Sequence, residues 1–262
     1  SLVFLNIILI QPIIAAEEKK ILTTYIETGI NSNARSAGSG NNEATAFQDW
    51  VWSIALPDSY DIELYTGAEK KIEGNNYDGT WNDSYAQLQK NLYSSDFFKF
   101  NLSGRYIFAL SENSREFTNM NWGMQIRPTL IFNLYKGDFF SFTYRLRPTY
   151  NEFYYSQDYN DAGFYNIARM LVIANRLAVA MGQYATLYIG ANYVTKWNTN
   201  GDHIDDAWAM FQYLEVPVTK NYYFQFWHES GNRIFDATGR RRNLDIFDNH
   251  ISTYKFVVGV TF

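Results

Sequence analysis

The chain predicts an all-β fold, a twelve-stranded antiparallel barrel that crosses a membrane, with ten or fourteen strands as the alternatives. Three observations point there. Segments of roughly ten residues alternate apolar and polar side chains, the period of an extended strand with two unlike faces. Their connections are by turns short and long. No stretch after Ala16 approaches a spanning helix, while aromatic residues make up 18% of the chain, so any bilayer contact must come from alternating strands.

Ser1 to Ala16 (SLVFLNIILIQPIIAA) is apolar, ends on small residues and is followed by Glu17, Glu18, Lys19 and Lys20. It reads as the h-region and cleavage site of an export signal without its basic n-region. Asn6, Gln11 and Pro12 interrupt it, so it is too short and broken for a membrane helix. The remainder, Glu17 to Phe262, suits one large all-β domain. With no cysteine and only His203, His228 and His250, no disulfide framework, metal cluster or cofactor is expected. The net charge of −5 argues against nucleic acid as a partner.

The short connections read as turns: 57–59, 94–96, 136–138, 182–183 and 219–221. The long ones, at 32–44, 70–83, 111–121, 155–163, 198–206 and 231–249, are polar and rich in glycine or asparagine. Interleaved, they join twelve strands. In the second strand Trp50, Trp52 and Ile54 alternate with Asp49, Val51 and Ser53, and in the third Ile62 and Leu64 alternate with Asp61 and Glu63. The fifth sets Phe98, Phe100 and Leu102 against Lys99, Asn101 and Ser103. The sixth sets Ile126, Leu130 and Phe132 against Arg127, Thr129 and Asn133. In the seventh, Phe142, Tyr144 and Leu146 oppose Thr143, Arg145 and Arg147. One face is apolar and the other polar, as lipid and a wet lumen require. Pro128 and Pro148 sit inside strands, which calls for a bulge to absorb the lost donor. Between Phe164 and Ala180 the alternation blurs and the register stays open.

The last strand, Tyr254 to Phe262 (YKFVVGVTF), places Tyr254, Phe256, Val258, Val260 and Phe262 on one side. It resembles the closing strand of bacterial outer-membrane barrels, and the resemblance implies that Phe262 is an assembly signal read by the barrel-assembly machinery.

Four arginines on three consecutive strands, Arg105, Arg127, Arg145 and Arg147, point to the lumen at similar depth. Arg169, or Arg176 if the register slips, would extend the band. The first three strands place Glu27, Asp49, Asp61, Glu63 and Glu69 inward, so a basic wall faces an acidic one. Such charges either pair into a rigid salt-bridge network or leave guanidinium groups free to hand an acidic solute along a pore. Tyr25 and Tyr65 could add stacking surface for sugar rings.

The segment Tyr144 to Tyr150 (YRLRPTY), preceded one hairpin earlier by Ile126-Arg127-Pro128, resembles the arginine-proline strand pair of the oligogalacturonate-specific and sialic-acid-specific monomeric porins. The resemblance covers about Asn121 to Phe262. It implies a monomeric barrel of the outer membrane that passes acidic oligosaccharides, with Arg127, Arg145 and Arg147 as track residues. The N-terminal half is richer in lumenal carboxylates than that family, which leaves another small anion or a neutral sugar open as the solute.

Two other functions fit part of the sequence. His228-Glu229-Ser230 puts His228 and Ser230 on one face of a strand, an arrangement similar to the His-x-Ser of outer-membrane phospholipases and lipid A deacylases, with Asn243 or Asp245 to orient the base. The asparagine-glycine context of that motif is missing. A non-conducting adhesin or receptor would act through the long loop carrying Arg240, Arg241 and Arg242.

Overall fold

The computed structural model describes residues 21–33, 44–72, 79–233 and 252–262. The export-signal segment and the loop residues Arg240, Arg241, Arg242, Asn243 and Asp245 lie outside them. The strands are β1 (Leu22–Asn33), β2 (Ala44–Ala55), β3 (Tyr60–Lys71), β4 (Gly79–Trp81), β5 (Ser84–Ser94), β6 (Phe98–Phe108) and β7 (Met120–Lys136). They continue as β8 (Phe140–Tyr155), β9 (Ile167–Met181), β10 (Ala185–Asn198), β11 (His203–Pro217), β12 (Tyr222–Arg233) and β13 (Ser252–Thr261). β4 is a three-residue strand laid against β3 in an outer connection. The other twelve form a ring of antiparallel pairs that closes where β1 meets β13, from Tyr25 opposite Thr261 to Asn33 opposite Thr253. Closure leaves no edge strand, so the backbone polar groups are paired within the sheet as a lipid environment demands.

The two faces separate cleanly. Large apolar side chains on the outer face stay uncovered by protein, Leu134 at 54% and Phe226 at 56% exposed, with Leu64, Leu88, Leu102 and Ile126 beside them. At about 25 cal/mol per Å² of apolar area, such a surface is stable against hydrocarbon and not against water. Inward positions carry most of the charges and amides, with Glu152, Arg169, Gln212 and His228 among the exceptions on the outer face. No described helix is long and apolar enough to cross a membrane.

The tight turns behave as their residues dictate. Pro57–Ser59 forms a single 3-10 turn in which Asp58 and Ser59 take left-handed φ values of 57° and 63°, and Gly182 does the same at 56°.

Two expectations need correction. No bulge absorbs Pro128 and Pro148: Ile126 pairs with Tyr150 and Leu130 with Leu146, so the two prolines stand directly opposite each other, and register shifts occur only near the strand ends. The two missing N–H donors therefore fall on one rung, and the β7–β8 ladder has one gap where two separated ones would have formed. The register of β9 is also settled. Arg176 lies opposite Arg145 on the lumenal face, whereas Arg169 lies opposite Glu152 on the outer one.

Candidate functional site

The lumen is built from the inward residues of twelve strands, and its chemistry divides by strand number. On β3, β5, β6 and β7 a bonded cluster fills one side. Tyr65 donates its hydroxyl to Asp49 at 2.7 Å, and its ring stacks on Tyr85 with centroids 4.8 Å apart. Tyr85 in turn donates to Glu63 at 2.7 Å, and the Arg105 guanidinium lies 3.6 Å over its ring. Arg105 reaches Glu63 at 3.3 Å and donates Nε to the Gln87 oxygen at 2.6 Å; Arg127 donates to that same oxygen at 2.9 Å. Tyr65 is thus committed to protein partners and offers no free platform for a sugar.

A second cluster lines β9 to β13. Arg176 donates to the Tyr213 hydroxyl at 2.6 Å and sits 4.6 Å over Tyr188. Tyr188 stacks on Tyr213 at 4.3 Å and Tyr213 on Trp227 at 3.7 Å. Gln225 links them, accepting from the Trp227 indole at 2.6 Å and donating to Glu215 at 2.8 Å. Between the clusters stand Arg145 and Arg147 on β8. Neither makes a hydrogen bond or ion pair with a described residue, and the Arg145 Nε is buried without a partner. In buried surroundings an unmet guanidinium donor is costly, and water or a solute must satisfy it.

The acidic positions sit across the ring. Glu27 on β1 lies opposite Asp49 on β2 in the register, and Asp61 and Glu63 follow on the inward face of β3. β1 and β8 are six strands apart in either direction around the ring, which makes them opposite walls. At the outer mouth a cavity of about 440 Å³, lined by Glu69, Glu112, Glu116 and Asp161 with Trp81 and Phe117, continues the acidic side. Among the described residues no three His, Cys, Asp or Glu side chains converge to hold a metal ion.

No protein-family model matches the chain, and no curated protein sequence does. Solved structures do match along nearly the whole length. An outer-membrane channel from Pseudomonas putida F1 superimposes with a TM-score of 0.61 at 10% identity, over 95% of this chain and 100% of that one. The NanC porin gives 0.57 at 12% identity, over 91% and 98%, and the KdgM porin 0.50 at 10% identity, over 91% and 99%. The fold is that of a bacterial outer-membrane β-barrel.

On the lipid-facing side of this barrel the His-x-Ser motif takes an unexpected form. His228 and Ser230 share the outer face, as their spacing requires, and Ser230 is wholly buried. The hydroxyl that the imidazole reaches belongs to Ser252 on β13, 3.1 Å from His228 Nε2, while the Gln212 amide on β11 stands 3.3 Å from Nδ1. Three polar groups on the outer face of the sheet, with Ser252 covered by protein, thereby pair across three strands. Phe262 is exposed at the chain's last position, its N–H donating to Thr24 at 3.2 Å, and Tyr25 faces the lumen beside Glu27.

Several lumenal residues carried no signal in the sequence. Gln87, Gln225 and Glu215 are ordinary polar positions until their cross-strand neighbours are known. Arg176 had a faint signal. It shares its face with Ala174, Ala178 and Ala180, while Ile173, Leu177 and Val179 share the other. Small side chains on β9 mark the crowded lumenal face, where Tyr188, Phe211 and Tyr213 need room.

Proposed function

We propose that the protein is a passive diffusion channel of the outer membrane that favours small anionic solutes, acidic oligosaccharides among them. On this reading it acts as a monomer, is exported with Ser1 to Ala16 as its signal, and is folded by an assembly machinery that reads Phe262. The observation that carries it is the pair Arg145 and Arg147, whose donors meet no protein acceptor among the described residues. A guanidinium keeps its charge at every physiological pH, and a fork of free N–H groups suits a carboxylate or sulfonate bidentately. Arg127 and Arg176, held by the neutral Gln87 and Tyr213, extend the line sideways along the wall. Several weak sites in a row favour passage over retention.

In a planar bilayer under a KCl gradient, the reversal potential should show chloride preferred over potassium. Replacing Arg127, Arg145 and Arg147 by Gln should reduce that permeability ratio severalfold. Cation preference that ignores the replacements would reject the anion-favouring reading, and absence of any conductance would reject the channel.

A second reading rests on the His228–Ser252 hydrogen bond. With the Gln212 amide turned to present its oxygen to Nδ1–H, the imidazole Nε2 would accept the Ser252 proton while Oγ attacks a lipid ester. Lipid-ester turnover by the purified protein, lost in Ser252→Ala and kept in Ser230→Ala, would establish it. As placed, the amide nitrogen faces Nδ1, which puts the proton on Nε2 and suits a structural bond.

A further inference from the structure

We infer that the preferred solute is dipolar, carrying an anionic and a cationic group on one small molecule. The inference rests on the channel reading and, among solutes that carry an anionic group, picks out those that carry a cationic group as well. The first ground is the separation of unpaired charge into two walls. Arg127, Arg145, Arg147 and Arg176 line β7 to β9, and among the described residues none forms an ion pair. Glu27, Asp49 and Asp61 line β1 to β3, and they form none either; Glu27 and Asp49 share a hydrogen bond, hence one proton, and act together as a single negative charge. Among the described residues the two walls join through one bridge, Arg105–Glu63, where β3 and β6 approach around the ring. On the remaining strands Lys255 lies beside Glu229 and Lys196 beside Asp205, each 4.0 Å apart, and Glu215 is held by the Gln225 amide.

The second ground is that the charges flanking Arg145 and Arg147, and Asp49 across the ring, are held in place. Asp49 is fixed by the Tyr65 hydroxyl, Arg127 by Gln87 and Arg176 by Tyr213, and each of these tyrosines is stacked on a neighbouring ring. Charges on locked side chains cannot swing across and neutralise each other. A field therefore runs across the lumen from β8 to β1, perpendicular to the path of the solute. Between low-dielectric walls such a field is focused.

The consequence differs with solute charge. A simple anion is drawn to Arg145 and Arg147 but repelled by Glu27 and Asp49, and a simple cation meets the reverse; because the guanidinium groups outnumber the carboxylates, the anion keeps the advantage. A molecule with its anionic end toward β8 and its cationic end toward β1 is favoured by both walls and enters in one orientation.

Isethionate and taurine are suitable probes. Both are two-carbon sulfonates, and they differ only in a hydroxyl against an ammonium. In proteoliposomes loaded with the folded protein, taurine should enter severalfold faster than isethionate. Arg145→Gln with Arg147→Gln should slow both. Glu27→Gln with Asp49→Asn should slow taurine and speed isethionate. Should a double variant fail to fold, the single changes Arg147→Gln and Glu27→Gln give the same directions at smaller amplitude. Isethionate entering as fast as taurine, with both still slowed by the arginine changes, would overturn the dipolar inference and leave the channel reading standing. Entry of both probes unaffected by the arginine changes would remove the arginine-lined, anion-favouring reading on which the inference rests.

Discussion

At the scale of single residues the lumen depends on neutral side chains that the charge pattern does not advertise. The Gln87 oxygen accepts from Arg105 and Arg127 together, so one amide sets the position of two guanidinium groups. Gln87→Leu would leave both donors without that acceptor while keeping the shape nearly constant. An unmet buried donor costs about 1–3 kcal/mol. The expected result is a barrel that unfolds at lower urea concentration in detergent micelles and passes current with more open-channel noise, because Arg127 is released. Unchanged stability and noise would mean that Gln87 does not position the arginines. Arg105, Arg127, Arg145 and Arg147 could be placed from sequence because each alternates with an apolar row at a fixed parity. Gln87 could not, since an amide on a polar face looks the same whether it meets water or two arginines.

At the scale of strands, what was legible followed from the contrast between faces. β6, β7 and β8 alternate strongly, and their inward residues read directly from the pattern. β9 does not, because Ala and Val face the lumen while Ile, Leu and Val face lipid, so both sides are apolar and only side-chain size distinguishes them. That is why Arg169 looked equivalent to Arg176. The crowding that decides the matter is visible at Gly190, which pairs with Arg176 and Phe211 on the lumenal face. A Cβ there would collide with the Phe211 ring and the Asn175 carbonyl. Gly190→Val should therefore destabilise the barrel by about 1–3 kcal/mol, read as a lower unfolding midpoint in urea. Gly104, where a Cβ would come no closer than 3.9 Å to the Gln125 carbonyl, supplies the control, and Gly104→Ala should be neutral or nearly so. On β13 the expected change is in assembly more than stability. Phe262→Ala should lower the amount of folded, heat-modifiable protein recovered from outer membranes while leaving the conductance of the recovered fraction unchanged.

At the scale of the whole barrel, two electrostatic effects share one lumen and decay differently with salt. Direct contact of a sulfonate or carboxylate with Arg145 or Arg147 acts at hydrogen-bonding distance. The field between β8 and β1 acts across the ring. The screening length is about 10 Å at 0.1 M salt and about 3 Å at 1 M. Raising salt over that range should therefore suppress the cross-lumen field well before it suppresses contact binding. Taurine's advantage over isethionate should shrink toward unity by 1 M KCl, while chloride stays preferred over potassium by a reduced but measurable ratio. Reversal potentials and probe uptake measured on one preparation at 0.1, 0.3 and 1 M salt separate the two. If both preferences fall in parallel, a single set of sites produces them, and the opposed walls play no part in choosing the solute. If taurine's advantage falls first, selectivity arises from how twelve strands arrange fixed charges around a ring, a property that no single arginine carries.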